Sequence, residues 1–195
     1  MRLARVLAHA VLATVVLALV LVPEDSAAQK RGGTLVMLVQ PEPPTLASYL
    51  STSGPIGQVS SKVYEGLLEY DFSLKPVSGL AESWKVSPDG KTITFTLQKG
   101  VKFHDGKPFT SADVKFSVLE VLKKMHPRGP ATFREVTEID TPDAHTVIFR
   151  LAGPAPYLLM ALSGYESPML PKHPYEGTDP SSSSTSTPAR RPSTT

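Results

Sequence analysis

The spacing of apolar residues changes character several times along the chain, and each pattern predicts a different element. Val6 to Val22 is apolar apart from His9 and Thr14. Thr34-Leu35-Val36-Met37-Leu38-Val39 is a continuous β-prone run after Gly32-Gly33, which predicts a buried strand. Pro41, Pro43 and Pro44 end it, and the stretch to Gly57 reads as a loop. Ile56, Val59, Val63, Tyr64, Leu67 and Leu68 recur at helical spacing and predict a helix of about three turns with one apolar face.

Beyond Leu68 the pattern turns to short strands. Ser87-Pro88-Asp89-Gly90 is a turn signal between Trp84-Lys85-Val86 and Thr92 to Leu97. In the second of these, strict alternation places Ile93, Phe95 and Leu97 on a buried face and Thr92, Thr94 and Thr96 opposite. Thr110-Ser111-Ala112-Asp113 is a capping box that opens a helix running to about Lys124, with Val114, Val118, Leu119, Val121 and Leu122 buried by spacing. Phe133 to Asp140 and Thr146 to Leu151 read as strands joined at Thr141-Pro142-Asp143-Ala144, and Pro156 to Leu162 as a short helix. The predicted class is α+β.

Composition narrows the function. Hydrophobic residues make up 41% and charged residues 19%, a globular balance. The formal charge is +2, and removing residues 1–28 takes away as many basic as acidic groups. Lys and Arg are scattered rather than gathered in a stripe, which excludes nucleic acid as a partner. With no cysteine there is no disulfide, thiolate metal site, cysteine nucleophile or lipidated cysteine.

Residues 1–28 read as an export address. A basic start (Arg2, Arg5), the apolar run, helix-breaking Pro23 and small Ser26-Ala27-Ala28 form a signal peptide, with the cut expected after Ala28. The apolar run is short for a bilayer span, which takes about 20 residues. The mature chain is therefore expected in the periplasm.

Six motifs in order then carry a resemblance: Gly33-Thr34-Leu35, Tyr64-Glu65-Gly66-Leu67-Leu68, Leu80-Ala81-Glu82-Ser83-Trp84, Ser87-Pro88-Asp89-Gly90-Lys91-Thr92, Gly100-Val101-Lys102-Phe103-His104-Asp105-Gly106 and Phe109-Thr110-Ser111-Ala112-Asp113-Val114. Gly164-Tyr165-Glu166-Ser167-Pro168 and Leu170-Pro171-Lys172-His173 extend it. From about Gly32 to Asp179 the chain resembles the peptide, dipeptide and nickel-type solute-binding proteins of ABC importers (solute-binding protein family 5). Ala47 and Gln98 depart from it, where the family often carries an acidic and a basic residue respectively.

The resemblance implies a periplasmic binding protein type II-like fold, here incomplete, with the second lobe missing. It divides the chain into the start of lobe I (29–57, first strand and ligand-side loop), an appended α+β domain (58–155) and a return to lobe I (156–179). It implies a monomer that carries a peptide or other small solute to an ABC permease in the cytoplasmic membrane, with no cofactor and no enzymatic activity. Thr52, Ser53 and Gly54 then lie where the family offers main-chain groups to ligand, with Gln40 and Glu42 on the same loop. Residues 181–195 hold only Ser, Thr, Pro, Ala and Arg. Such a segment cannot bury enough surface to offset its ordering entropy, so 180–195 is expected to be disordered, and its abrupt change of composition suggests out-of-frame translation.

Other chemistry is weaker. His104-Asp105 is a metal-type pair, but the five histidines are dispersed, which favours a hairpin-loop role for His104 and no metal. Trp84 reads as a packing anchor. Tyr64 and Tyr165 face either the cleft or the core. Glu65, Glu69, Asp89 and Asp105 read as solvated surface charge. No nucleophile elbow, zinc-helix motif or phosphate loop occurs. Two alternatives to a binding protein stand: a non-functional remnant of one, or an exported hydrolase whose catalytic set is assembled without a known motif.

Overall fold

A computed structural model of the chain describes residues 32–163 and 166–176 and the backbone of 189–190. Its centre is built from two hairpins whose turn chemistry is written in the sequence. At Ser87-Pro88-Asp89-Gly90 the Ser87 hydroxyl accepts from Thr92 N–H at 2.9 Å, Gly90 N–H donates to Ser87 O, and Gly90 takes φ +69°, which glycine adopts without strain. This joins β3 (Ala81–Val86) to β4 (Thr92–Leu97). The second hairpin pairs β6 (Val136–Asp143) with β7 (Thr146–Leu151), its turn fixed by the Asp143 carboxylate, which accepts from His145 N–H at 2.7 Å.

The four strands form an antiparallel sheet in the order β3-β4-β7-β6. The register Val86, Ile93, Phe149, Ile139 runs straight across it, and Phe95 meets Phe149 edge to face at 5.3 Å. Ile93, Phe95 and Leu97 are buried and the three threonines that alternate with them, Thr92, Thr94 and Thr96, half-buried, as the alternation predicts. The last strand starts later than its sequence suggests. Phe133 ends a one-turn helix, α3 (Gly129–Thr132), and β6 runs on through Pro142, which a strand tolerates here because β6 is an edge and its register is irregular between Asp140 and Asp143.

Against the sheet lies α2 (111–125), opened at Thr110 by the expected capping box. Its middle, Ser117–Leu122, is π-helical, and it starts where the Ser117 hydroxyl donates back to Asp113 O at 2.6 Å. Val114, Val118, Val121 and Leu122 are fully buried, and Leu119 packs partly against the same core. That core is continuous from Tyr49 to Tyr175 and includes α4 (Tyr157–Ala161) at Leu158. Two short hairpin pieces complete the element order: β1 (Leu68–Tyr70) with β2 (Pro76–Ser78), and β5 (Lys102–Phe103). Trp84 packs partly against the core as a strand residue.

Two expected elements differ. Thr34–Val39 forms no strand; Leu35 is 89% and Leu38 82% exposed, because a strand exists only as part of a ladder and none is paired with it among the described residues. The predicted long helix stops after two turns: α1 spans Gly54–Ser60. Past it, Leu68 N–H bonds Leu162 O, while Gly66 O and Leu67 O accept from Leu80 and Ala81. A Cβ on Gly66 would stand 3.0 Å from Leu162 O, so this backbone is pressed against a distant segment and cannot coil. Leu67 and Leu68 are still buried, but as loop and strand residues. Glu65, expected at the surface, has Oε2 away from solvent, and its carbonyl accepts from Met169 N–H.

The described residues up to Leu38 belong to one unit of the chain and those from Val39 to another. The signal segment 1–28 lies outside the described residues, as do Tyr165 and the tail 180–195 apart from the backbone of β8 (Ala189–Arg190), which pairs with β5. Among the described residues no helix is long and apolar enough to cross a membrane.

Candidate functional site

The loop that precedes α1 holds all five residues singled out for ligand contact. Gln40 and Glu42 are exposed, on either side of Pro41, whose peptide bond is cis. Neither makes a hydrogen bond or ion pair with Thr52, Ser53 or Gly54 among the described residues. These last three are contiguous at the head of α1, Thr52 half-buried and Ser53 and Gly54 exposed. Ser53 caps α1 through its backbone, its carbonyl accepting from Gly57 N–H at 3.0 Å, while its hydroxyl takes no capping bond. Pro55 follows at the first turn, where its missing N–H costs nothing.

Beneath this surface the loop is anchored tightly. Ser48–Leu50 forms a single 3₁₀ turn that packs against the π segment of α2. Tyr49 is buried and meets Tyr64 edge to face at 6.5 Å, so Tyr64 belongs at least partly to the core. Ser51 N–H bonds back to Ser48 O, and the Ser51 hydroxyl accepts from Ser53 N–H at 3.2 Å.

A cluster that no sequence motif marks adjoins this turn. His126 terminates α2 and is only 4% exposed. Its Nδ1 accepts from Arg128 N–H at 3.2 Å, whereas its Nε2 is buried without a hydrogen-bond partner. Arg128 Nη1 in turn pairs with Glu166 Oε1 at 2.5 Å. Burial pushes the His126 imidazole below its ordinary pKa; Glu166 and the main chain of Ser51 pull it up, and Arg128 pushes it down. The ring is therefore held neutral at neutral pH. Ser48 Oγ is likewise buried and unpartnered. In the sequence, His126-Pro127-Arg128-Gly129 reads only as a helix stop.

Two other arrangements lie outside the loop. His173 Nε2 and Asp105 Oδ2 lie 2.6 Å apart, tying the β5 turn to the segment after Leu170. No hydroxyl hydrogen-bonds that imidazole among the described residues. His104 is exposed in the same turn, and among the described residues no three His, Asp or Glu groups could hold a metal ion. A shallow depression lined by Ala112, Lys115, Phe116, Glu120, Thr141 and Lys172 shares no residue with the loop.

Comparison with known proteins follows the same line. Residues 75–195 match the family described as bacterial extracellular solute-binding proteins, family 5 Middle. The chain is 35% identical over 163 residues to the dipeptide-binding protein of Escherichia coli, covering 73% of this chain and 30% of that one. Among solved structures it is similar to NikZ of Campylobacter jejuni in complex with Ni(L-His), with a TM-score of 0.66 and 30% identity over 77% of this chain and 30% of the other. It is also similar to Haemophilus influenzae OppA in complex with the peptide RPPGFSPFR, with a TM-score of 0.64 and 25% identity over 70% and 30% of the two chains. Both have the periplasmic binding protein type II-like fold, which this chain shares over the matched part. The chain spans 21% to 30% of the length of the curated relatives it matches.

Proposed function

Because the chain belongs to the bacterial extracellular solute-binding proteins, family 5, we propose that it acts as the substrate-binding component of an ABC importer for peptides or similar small solutes. The observation that carries this reading is the family match over 75–195, which the similarity to a dipeptide-binding protein and to a peptide-bound OppA supports. In this reading residues 1–28 are a signal peptide cut after Ala28, the mature chain works as a monomer in the periplasm, and an ABC permease receives its cargo.

The ligand side is the loop from Gln40 to Gly54. Thr52, Ser53 and Gly54 offer main-chain and hydroxyl groups at an exposed edge, and Gln40 and Glu42 supply an amide and a carboxylate along the same loop. Such groups suit a peptide, whose termini and amides need partners of both signs and no chemical step. The surrounding parts follow the division into the start of lobe I (29–57), the appended domain (58–155) and the return to lobe I (156–179).

One observation favours a second reading, a remnant that binds nothing: Leu35, Val36 and Leu38 are each more than 80% exposed, a surface that invites association rather than ligand capture. A thermal melt of the full chain with and without millimolar Ala-Ala, Ala-Ala-Ala and a nine-residue peptide separates the two. A ligand present at about 100 times its Kd stabilises the native state by about 2.7 kcal/mol. A rising Tm supports the binding protein; a Tm indifferent to every peptide supports the remnant.

A further inference from the structure

Between the first half of α2, the edge strand β6 and the segment after Leu170, the surface dips into a depression of about 320 Å³, the lower end of the range of about 300–1,000 Å³ usual for small-molecule sites. Three separate stretches build it: Ala112, Lys115, Phe116 and Glu120 from α2, Thr141 from β6, and Lys172 from the returning segment.

Its wall and its charges differ in kind. Phe116 is 9% exposed and is fixed by stacking on buried Tyr175, with ring centroids 5.4 Å apart, so an immobile aromatic side chain borders the space. The charges around it are unequally matched. Glu120 Oε2 is held by Lys124 Nζ at 2.5 Å, and Lys172 Nζ is loosely shared with Glu176 Oε1 at 3.5 Å. The Lys115 ammonium has no hydrogen bond or ion pair among the described residues, and neither has the hydroxyl of half-buried Thr141. One positive charge is therefore unmatched, a second is weakly engaged, and a hydroxyl stands unengaged beside them.

These features select a ligand class. An unmatched ammonium next to an aromatic wall suits a molecule with a single negative charge at one end and an apolar body at the other. A carboxylate carries one such charge, whereas a phosphate monoester carries about −1.5 to −2 and would leave charge uncompensated. At about 30 Å³ for each water-sized atom, the depression holds on the order of ten non-hydrogen atoms.

We propose that this depression is a binding site for a small aromatic monocarboxylate, its ring against Phe116 and its carboxylate held by Lys115 and Lys172, with the Thr141 hydroxyl donating to the same group. It shares no residue with the loop from Gln40 to Gly54, so it is a second site, separate from the one given to the transported solute. The bound carboxylate joins α2 to the segment after Leu170, the two parts that Asp113 Oδ1 and Lys172 N–H already connect.

The test is a nitrogen-15 NMR titration of the full chain with phenylacetate, with inorganic phosphate and benzyl alcohol supplying the charge alone and the ring alone. The expected result is saturable shifts at the amides of 112–116, 141 and 172, with a Kd on the order of 1 mM for a ligand of about ten non-hydrogen atoms. Phosphate and benzyl alcohol should each bind at least about fivefold more weakly. Ala112, Lys115 and Lys172 are exposed, so their variants should keep the fold, which a urea melt checks. Lys115→Gln should weaken phenylacetate by about twofold to fivefold, as for one exposed ion pair, and Lys115→Gln with Lys172→Gln by about tenfold. Ala112→Leu, which fills the depression, should abolish binding. Equal affinity for phosphate or benzyl alcohol, undiminished affinity in the double variant, or saturable shifts confined to 40–54 overturns the proposal. Shifts that fail to saturate by about 20 mM overturn it as well and leave the depression an ordinary surface concavity. None of these outcomes depends on whether peptides bind at the loop.

Discussion

Removing the Asp113 carboxylate should loosen the junction between α2 and the segment that follows Leu170. Asp113 is 5% exposed. Its Oδ2 accepts from both Thr110 N–H and Thr110 Oγ1, each at 2.8 Å, and its Oδ1 accepts from Lys172 N–H at 2.8 Å, a partner 59 positions away. Asp113→Ala deletes the reciprocal half of the helix cap, about 1 kcal/mol, and leaves a part-buried Lys172 amide without an acceptor, about another 1–2 kcal/mol. The expected loss is about 2–3 kcal/mol, a large share of the ~5–15 kcal/mol that holds a typical domain together. With a urea slope of about 2 kcal/mol per M, the midpoint falls by about 1 M. Asp113→Asn keeps its oxygen for Thr110 and turns an NH₂ toward Lys172 N–H, so it should cost about half as much. Urea melts give the midpoints, and amide exchange at Lys172 locates the damage. A midpoint shift below about 0.3 M for the alanine variant, or an asparagine variant as damaged as the alanine one, would refute the account of Asp113 as a two-sided fastener.

Gly129→Ala should cost about 2–3 kcal/mol by urea melt, since its Cβ would stand 1.7 Å from Leu122 O and the end of α2 would have to move; Gly54→Ala, with nothing within 4 Å, should leave stability nearly unchanged. Leu74→Asn should raise stability by about 0.5–1 kcal/mol, because Leu74 is held at φ +59° in an exposed turn where asparagine is less strained. His126 makes stability depend on pH. Its folded pKa lies below the unfolded value of about 6.5, so the unfolded chain takes up protons first; stability is full above that value and declines as pH falls from it through the folded value. Urea midpoints at pH 7.5 and 5.5 should show this decline in the wild type and a smaller one in His126→Asn; equal declines would remove His126 as the cause.

Local chemistry was legible from the residues alone wherever an element needs only its neighbours. The turn at Ser87 to Gly90 closes on its own side chains, Thr110 to Asp113 caps its own helix, and the alternation from Thr92 to Leu97 sorts itself into two faces; in each the interacting groups lie within a few positions of one another. The family motifs were legible too, since each is a short run of neighbouring residues. Tertiary structure decided the rest. Leu67 and Leu68 fit a helical period, yet Gly66 lies against Leu162 O and the ladder to Leu80 and Ala81 takes their backbone instead. Thr34 to Val39 has the composition of a strand, but strand formation depends on a partner that composition does not supply. His126 looked like one of five scattered histidines, because its meaning comes from Arg128 N–H, Glu166 and Ser51, and the last two stand 40 and 75 positions from it along the chain. Periodicity records which side of an element is apolar. Which distant backbone will come to meet it is settled only when the chain has folded.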